Sequence, residues 1–313
     1  MLNNNSKNYS ISLSSQIAYF CKKHDMKNGS FKHQQSLKIP KSIVFTGKFL
    51  QFLSSDWATL FAQKIFITPI KFKTPKREME MLEKAIKYNV YIPTINKSIV
   101  TYKYGNGDKK ALIIHGWNGR GTQLVTIANR LKKEGFTIVS FDAPGHGFSP
   151  KNNSNMTEFI EIALFIQKEY GEFDVVIGHS LGGMSTINAI QRGLKAKKTV
   201  IIGSGDVVED IIDDFVKQLH LKSIIASKMK VRFENQFQQS MDSFCVHKSA
   251  SQLTIPILVI HDEQDLDVPV LAAHSIYKHI KNGELMITQN LGHRKILGSK
   301  NVINRINNFI NNE

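Results

Sequence analysis

Seven short apolar segments recur along the C-terminal two thirds of the chain, and stretches with helical periodicity separate most of them. Alternation of this kind is typical of β-α-β units, whose strands pair in parallel. The chain has 313 residues and is 42% hydrophobic, which is enough to bury one α/β core with additions. The segments predicted as strands are residues 98–104, 111–114, 136–141, 173–177, 199–202, 257–261 and 284–288.

The segment 173–177 leads into a G-x-S-x-G pattern that begins at Gly178 and ends at Gly182. This pattern places its serine on a sharp turn between a strand and a helix, with the hydroxyl exposed. Neighbouring main chain approaches such a turn so closely that the two glycines are expected to have no room for side chains. Ser180 is therefore the candidate nucleophile. The alternative is a strand–helix junction with an incidental serine.

A serine hydroxyl needs a base and an orienting carboxylate, in the chain order Ser, Asp or Glu, His. Asp265, in the loop after segment 257–261, is the first candidate for the acid. Asp262 and Asp267 of the same loop stay open as alternatives, and so does Asp206, which follows the preceding strand.

The candidate base is His293, one of eleven histidines. It lies after the acid, in a glycine-marked loop at the end of a predicted strand, where the chemistry requires the base. The other histidines are expected to be surface or core residues.

Serine hydrolysis also requires backbone donors for the oxyanion. The amide of Leu181 follows the nucleophile, and the loop after segment 111–114 offers the amide of Trp117. In that loop His115 is expected to be structural. Arg120 has two interpretations, a solvated residue of the next helix or a substrate-binding clamp for a carboxylate or phosphate.

Five motifs in this order resemble those of α/β-hydrolase-fold serine hydrolases of the esterase and lipase type, and the resemblance covers residues 98–313. The motifs are residues 113–117, 141–149, 178–183, 261–269 and 292–293. The resemblance implies an α/β fold with a mostly parallel eight-stranded sheet and helices on both faces. It also implies a triad of Ser180, Asp265 and His293, oxyanion donors at Trp117 and Leu181, and no metal or organic cofactor. One departure is Asp262, where many relatives have glycine.

Residues 206–252 form too long a connection for a simple crossover, and they are rich in helix-forming residues. We expect a small helical lid here, with Phe233 and Phe237 as walls of a substrate pocket. An ordinary packing helix is the alternative.

The net charge of +15 belongs mainly to the N-terminus. Residues 1–77 carry thirteen Lys and Arg against Asp25 and Asp56, a net charge of +11, which leaves +4 for the other 236 residues. Residues 1–40 are rich in Asn, Ser and Lys and are predicted to be disordered.

Apolar residues at helical spacing from Phe49 to Ile65 predict an amphipathic helix that ends before Pro69. Three roles are open for it: packing on the hydrolase body, peripheral membrane contact through residues 43–67, or contact with a partner. The predicted organisation is a segment 1–40, a helical extension 41–88, and a hydrolase domain 89–313. No reader motif for nucleic acid accompanies the basic residues, so nucleic-acid binding is not expected.

The two cysteines cannot form a disulfide framework, and no apolar run is long enough for a membrane span. These features favour a reducing compartment, the cytoplasm. The sequence thus predicts a serine hydrolase for small-molecule esters or thioesters, and oligomeric state is not encoded in these patterns. The alternative is a catalytically silent scaffold that acts through its basic N-terminal segment at a membrane or protein partner.

Overall fold

The computed structural model of the chain describes residues 39–150 and 153–312, which all belong to one compact unit. The segment 1–40, predicted to be disordered, lies almost wholly outside the described residues, as does Cys21. Cys245 is a buried free thiol. Among the described residues, every helix is too short or too polar to span a bilayer.

Eight strands form one sheet, and seven of them contain the segments that the sequence predicted. Their order across the sheet is β1-β2-β4-β3-β5-β6-β7-β8. β2 pairs antiparallel with β1 and β4, and the other pairs are parallel. The predicted fold class is confirmed. The strands are β1 (Ile86–Ile92), β2 (Lys97–Tyr104), β3 (Lys109–Ile114), β4 (Phe136–Asp142), β5 (Phe173–His179), β6 (Ala196–Ile202), β7 (Ile257–Asp262) and β8 (Gly283–Thr288).

The sequence patterns left out β1, although Ile86, Val90 and Ile92 occupy alternate positions of a period-two pattern. The strand lies at the edge of the sheet, and Ile92 is its only fully buried residue, so its apolar signal is weak. The predicted boundary at 88/89 falls inside β1. The sheet already begins at Ile86.

Twelve α-helices lie in the described residues and surround the sheet. They are α1 (Lys41–Leu53), α2 (Ser55–Phe66), α3 (Met79–Lys84), α4 (Val125–Lys133), α5 (Met156–Tyr170), α6 (Leu181–Gln191), α7 (Val208–Gln218), α8 (Ser223–Phe237), α9 (Val246–Ala250), α10 (Leu271–His279), α11 (Gly292–Lys295) and α12 (Lys300–Asn311).

Successive residues of the central strands pack on opposite faces of the sheet, because the side chains of a strand alternate between the two faces. Ala111 and Ile113 of β3 join an apolar cluster with α3, α4 and α12. Leu112 and Ile114 join a second cluster with α5 on the other face. Helices therefore cover both faces, and the carboxyl ends of the parallel strands remain free to carry loops.

A third apolar cluster joins helices that are far apart in sequence. It contains Ala58 and Ala62 of α2, Ile212 and Val216 of α7, and Ile225 of α8, with residues of α1 packed against it. We call α1, α2, α7 and α8 the four-helix layer. The N-terminal extension and the insertion 206–252 thus form one structural element.

The prediction of one continuous amphipathic helix before Pro69 is wrong, because the chain is extended at Ser54, with φ −159° and ψ 131°. The Ser54 side chain caps the second helix by accepting a hydrogen bond from the amide of Asp56 at 3.2 Å. Two shorter helices result.

Candidate active site

Ser180 lies at the carboxyl end of β5, in a turn with unusual backbone geometry. Its φ of 54° and ψ of −120° are rarely adopted by residues with a side chain. A Cβ on Gly178 would lie 2.3 Å from the carbonyl oxygen of Gly182, and a Cβ on Gly182 would lie 2.3 Å from that of Ile114. The neighbouring main chain therefore requires both glycines, and α6 begins directly after the serine.

His293 and Asp265 are brought together from two neighbouring strand ends. His293 Nδ1 lies 2.7 Å from Asp265 Oδ2. The other oxygen of Asp265 accepts hydrogen bonds from the amides of Asp267 at 2.9 Å and Val268 at 3.0 Å. These bonds hold the carboxylate toward the imidazole. Nδ1 then carries the proton, which leaves Nε2 of His293 as an acceptor.

Burial raises the pKa of Asp265, but the hydrogen bond and charge of His293 outweigh it, so the pKa lies below its ordinary value. The carboxylate is therefore charged at neutral pH. A charged carboxylate against Nδ1 stabilises the protonated imidazole that forms when Nε2 accepts a proton.

Asp262, an alternative for the acid, has a structural position. It is fully buried, and its Oδ2 accepts hydrogen bonds from Thr288 Oγ1 at 2.8 Å and from the amide of Leu291 at 3.1 Å. Asp262 thus connects the end of β7 with the end of β8 and with the loop that carries His293. Many α/β hydrolases have glycine at the corresponding position. In this chain, Asp262 fixes the loop through these hydrogen bonds.

The other two aspartate candidates are Asp206 and Asp267. Asp206 accepts hydrogen bonds from the amide and Nδ1 of His247 and from Ser275 Oγ, so it joins the two ends of the insertion 206–252 to α10. Asp267 is exposed at the pocket, and its own amide helps to orient Asp265. Asp265 is hydrogen-bonded to His293 Nδ1 and is the acid candidate that this geometry favours.

The loop of His293 is bonded directly to the nucleophile turn. His179 Nε2 donates a hydrogen bond to the carbonyl oxygen of His293 at 2.9 Å, and the two rings are 4.7 Å apart. Ser180 and His293 line the same pocket. Among the described residues, however, Ser180 Oγ makes no hydrogen bond to His293. Such bonds are often long without substrate and shorten when substrate binds.

The loop after β3 passes beside the nucleophile. A Cβ on Gly116 would lie 3.0 Å from the Cβ of Ser180, and the Gly116 amide donates to Gln123 Oε1 at 2.8 Å. In the described residues, the amides of Trp117 and Leu181 donate to no backbone or side-chain acceptor. Both amides are therefore available for an oxygen of a bound substrate.

Asn118 is a site residue that the sequence interpretation missed. It has a positive φ of 58°, and its Oδ1 accepts a hydrogen bond from the amide of Ile70 at 2.6 Å. The carbonyl of Ile67 accepts a further bond from the amide of Ser154 at 2.8 Å. The segment after α2 is thus bonded to loops beside the candidate site. The sequence signal for this turn is an asparagine between Trp117 and Gly119, since asparagine tolerates a positive φ.

Four buried histidines surround the site, His115, His146, His179 and His261, and burial lowers the pKa of each. Burial, with the neighbouring His146, lowers the pKa of His115 well below its ordinary value. Burial lowers the pKa of His146 to about 4, and burial with the adjacent His293 lowers that of His179 to about 3. His115 Nε2 accepts from the amide of Ala143 at 3.1 Å, so His115 holds the loop after β4, in agreement with a structural role.

Arg120 lies in the interior and not at the pocket. Its Nε is 3.8 Å from Glu78 Oε2, and both side chains are buried. Glu78 also accepts a hydrogen bond from Thr122 Oγ1 at 2.8 Å. This corrects both interpretations from sequence, a solvated helix residue and a substrate clamp. The cause is the buried Glu78, a carboxylate from the N-terminal extension that pairs with the guanidinium.

A pocket of about 840 Å³ opens at Ser180 and His293. The four-helix layer supplies much of its apolar wall, including the predicted Phe233 and Phe237. The side chains of Asp210, Asp213 and Asp214 lie at the exposed border. The other apolar lining residues of this side are Ile65, Phe66, Ile67, Val207, Val208, Ile211, Ile212, Phe215, Met241 and Phe244.

Asp265, Asp267 and His293 present potential metal-ligand atoms within 4.8 Å of one another. Both oxygens of Asp265 are already engaged, one by His293 and the other by two backbone amides. A metal here would have to replace the hydrogen bond between Asp265 and His293. The arrangement therefore fits a proton-transfer pair better than a metal site.

The chain is similar to known proteins in sequence over part of its length and in fold over most of it. Residues 111–242 match a family model described as the alpha/beta hydrolase family. A sequence search against curated proteins finds no match.

Three solved structures illustrate the shared fold. An esterase of Pyrococcus furiosus is 15% identical with a TM-score of 0.60, and the match covers 78% of this chain and 97% of that one. An esterase of Exiguobacterium antarcticum is 15% identical with a TM-score of 0.57, covering 72% and 100%. A bromoperoxidase of Bacillus anthracis is 16% identical with a TM-score of 0.56, covering 72% and 100%. Proteins with this fold thus carry different activities, and function has to be argued from the site.

Proposed function

We propose that this chain is a serine hydrolase that cleaves carboxylic esters or thioesters through an acyl-enzyme intermediate, and the match of residues 111–242 to a model of the alpha/beta hydrolase family supports the proposal. The observation that carries the proposal is the 2.7 Å contact of His293 with Asp265, beside a serine in a strained turn. A silent scaffold would have no physical need for this contact or for that turn. Strained residues persist where the surroundings enforce them, and they cluster at active sites.

The first half of the proposed reaction acylates the enzyme. Ser180 Oγ attacks the carbonyl carbon while His293 Nε2 accepts the hydroxyl proton, and the carbonyl oxygen becomes an oxyanion near the amides of Trp117 and Leu181. The protonated His293 then donates its proton to the departing alcohol or thiol. The carbon–oxygen or carbon–sulfur bond breaks, and the acyl group stays on Ser180.

The second half releases the acid. A water molecule attacks the acyl carbon and gives one proton to His293, which returns it to Ser180 Oγ as the acyl–enzyme bond breaks. Asp265 stays charged throughout and stabilises the imidazolium of each half-reaction. Shortening of the contact between Ser180 and His293 on substrate binding is part of the proposal.

The substrate that the pocket favours is a neutral ester with an apolar acyl chain. The wall from the four-helix layer is mainly apolar, and a volume of about 840 Å³ has room for a chain of several carbons. Carboxylates at the border, among them Asp210 and Asp214, would repel an anionic substrate. We therefore expect a small-molecule substrate without negative charge near the scissile bond.

The test is a series of p-nitrophenyl esters from acetate to laurate, with the wild type and Ser180→Ala. We expect turnover by the wild type, a preference for chains longer than acetate, and background rates for Ser180→Ala. A thioester series in parallel distinguishes the two leaving groups. A folded wild type that turns over no ester or thioester would favour the scaffold alternative.

A further inference from the structure

The first two helices of the four-helix layer leave an apolar face in solvent. On α1, Phe45 is 73% exposed and Phe52 is 86% exposed, and Phe49 lies between them on the same side. On α2, Trp57 is 57% exposed, and Leu60 follows one turn later at 46%. Soluble monomeric proteins rarely place so many large apolar side chains together on their surface. We call this set, with Leu53, the apolar face.

The opposite sides of the same helices are packed. Gly47 of α1 is buried against Leu221, and Ala58 and Ala62 of α2 are fully buried in the cluster with α7 and α8. Both helices are therefore fixed in orientation by the rest of the fold. The apolar face is an outward surface of an anchored element.

Lysines lie along the same sides of the two helices. Lys41 and Lys48 fall at helical spacing with Phe45 and Phe52, and Lys64 falls one turn beyond Leu60. All three lysines are exposed. The single acidic residue of α1 and α2, Asp56, is 2.7 Å from Lys228, so its charge is balanced by a cation of α8. Long lysine side chains can direct their charge away from an apolar surface that their stems help to cover.

The charge decides between occupants of the apolar face. Residues 39–77 carry a net charge of +6, and residues 1–38 carry +5. A second copy of this face, or the N-terminal segment itself, would add positive charge to positive charge. An anionic lipid surface supplies both acyl chains for the aromatic residues and phosphates or carboxylates for the lysines.

We propose that the apolar face docks this protein on an anionic lipid bilayer, with the aromatic side chains in the interfacial region and the lysines at the headgroups. α2 ends with Ile65 and Phe66, and these two residues and the following Ile67 line the pocket of Ser180. Docking would therefore place one pocket wall next to the membrane. The docking itself does not depend on the proposed hydrolysis, because it uses none of the catalytic side chains.

The test is sedimentation of the full chain with vesicles, in a Ser180→Ala background so that lipids stay intact. Vesicles of phosphatidylcholine with 30% phosphatidylserine are compared with vesicles of phosphatidylcholine alone, at low and high salt. We expect binding to the mixed vesicles, weaker binding at high salt, and weaker binding without phosphatidylserine. Replacing Lys48 by Gln should weaken binding about fivefold.

The decisive variant is Phe45→Asp with Phe52→Asp, at two highly exposed positions that leave the packed side unchanged. We expect at least a tenfold loss of vesicle binding with an unchanged melting temperature. The matched control is Tyr88→Asp, an exposed aromatic residue of β1, which should bind as well as the parent. A second comparison, Lys22→Gln with Lys23→Gln, reports the contribution of the N-terminal segment.

Three results would overturn the proposal. The first is no binding to anionic vesicles by the parent protein. The second is full binding by the Phe45→Asp, Phe52→Asp variant together with loss in the Lys22→Gln, Lys23→Gln variant, which would assign binding to the N-terminal segment. The third is a parent protein that is dimeric in sedimentation velocity and does not bind vesicles, with the double Asp variant monomeric. That result would make the apolar face a contact between copies.

Discussion

The pocket has two sides that are built by different interactions. At the carboxyl edge of the sheet, polar and main-chain contacts fix each candidate catalytic residue, as the bonds of Asp265 and the close approach at Gly182 illustrate. In the four-helix layer, apolar side chains such as Phe66 and Phe233 pack together, with ring centroids 5.8 Å apart. The first side needs particular residues, whereas the second needs apolar volume.

The largest expected effect comes from the acid at the sheet edge. Asp265→Asn removes the charge that stabilises the protonated His293 and favours the wrong tautomer, so we expect kcat for a p-nitrophenyl ester to fall by about 10⁴-fold. Asp267→Asn, in the same loop, is the matched control and should stay within about tenfold. If the two results were exchanged, Asp267 would be the acid.

The next effect is the response of stability to acid. His115, His146 and His179 are buried and neutral, and burial holds their pKa values down, to about 4 for His146 and about 3 for His179. In the unfolded chain they titrate near 6.5. Their contribution to stability is therefore complete above pH 6.5 and is lost as the pH falls from there toward the folded values.

Each of these histidines should reduce the free energy of unfolding by about 1.4 kcal/mol per pH unit over that interval. Asp142 acts in the opposite direction, because burial raises its pKa. We expect a net loss of several kcal/mol between pH 7 and pH 5, measured by guanidinium unfolding. Equal stability at the two pH values would show that the sheet edge is not the acid-sensitive side.

The third largest effect is expected from a side chain added at the nucleophile turn, where main-chain atoms lie close to Gly182. In Gly182→Ala, the new Cβ would lie 2.3 Å from the carbonyl oxygen of Ile114, and we expect a loss of about 3 kcal/mol in the free energy of unfolding. Gly298 has no neighbouring atom within 4 Å of such a Cβ, so Gly298→Ala should change stability by less than about 1 kcal/mol.

The smallest effect is expected in the four-helix layer. Phe233→Leu keeps an apolar side chain of similar volume, so it should cost about 1 kcal/mol in thermal unfolding and leave labelling of Ser180 by active-site reagents unchanged. Its visible effect should be a shift of several-fold in relative turnover between short-chain and long-chain esters. A loss as large as that of Gly182→Ala would remove the contrast between the two sides.

The same contrast explains what could be predicted from the sequence. Motifs such as G-x-S-x-G encode main-chain constraints, so the strands and the Asp265–His293 pair follow from local pattern and chain order. The pairing of α2 with α8 depends on contacts between distant apolar residues, which no local pattern contains. The break at Ser54 could not be predicted either, because the helical spacing of the apolar residues continues across it.

The contacts of two polar residues in the loop after β3 could not be predicted from the sequence for a related reason. Arg120 is neutralised by Glu78, which lies 42 positions earlier in the chain. Asn118 is bonded to Ile70 of the same N-terminal region. Both contacts depend on how the extension folds over the loop after β3, and the resemblance to α/β hydrolases does not include that extension.

The proposed hydrolysis requires Ser180 to be a nucleophile activated by His293. The most direct measurement is the intact mass and peptide map of the protein after reaction with a fluorophosphonate. We expect one adduct, located on Ser180, that is absent from Ser180→Ala and strongly reduced in His293→Ala. A folded wild type that forms no adduct, or an adduct that persists in Ser180→Ala, would contradict it.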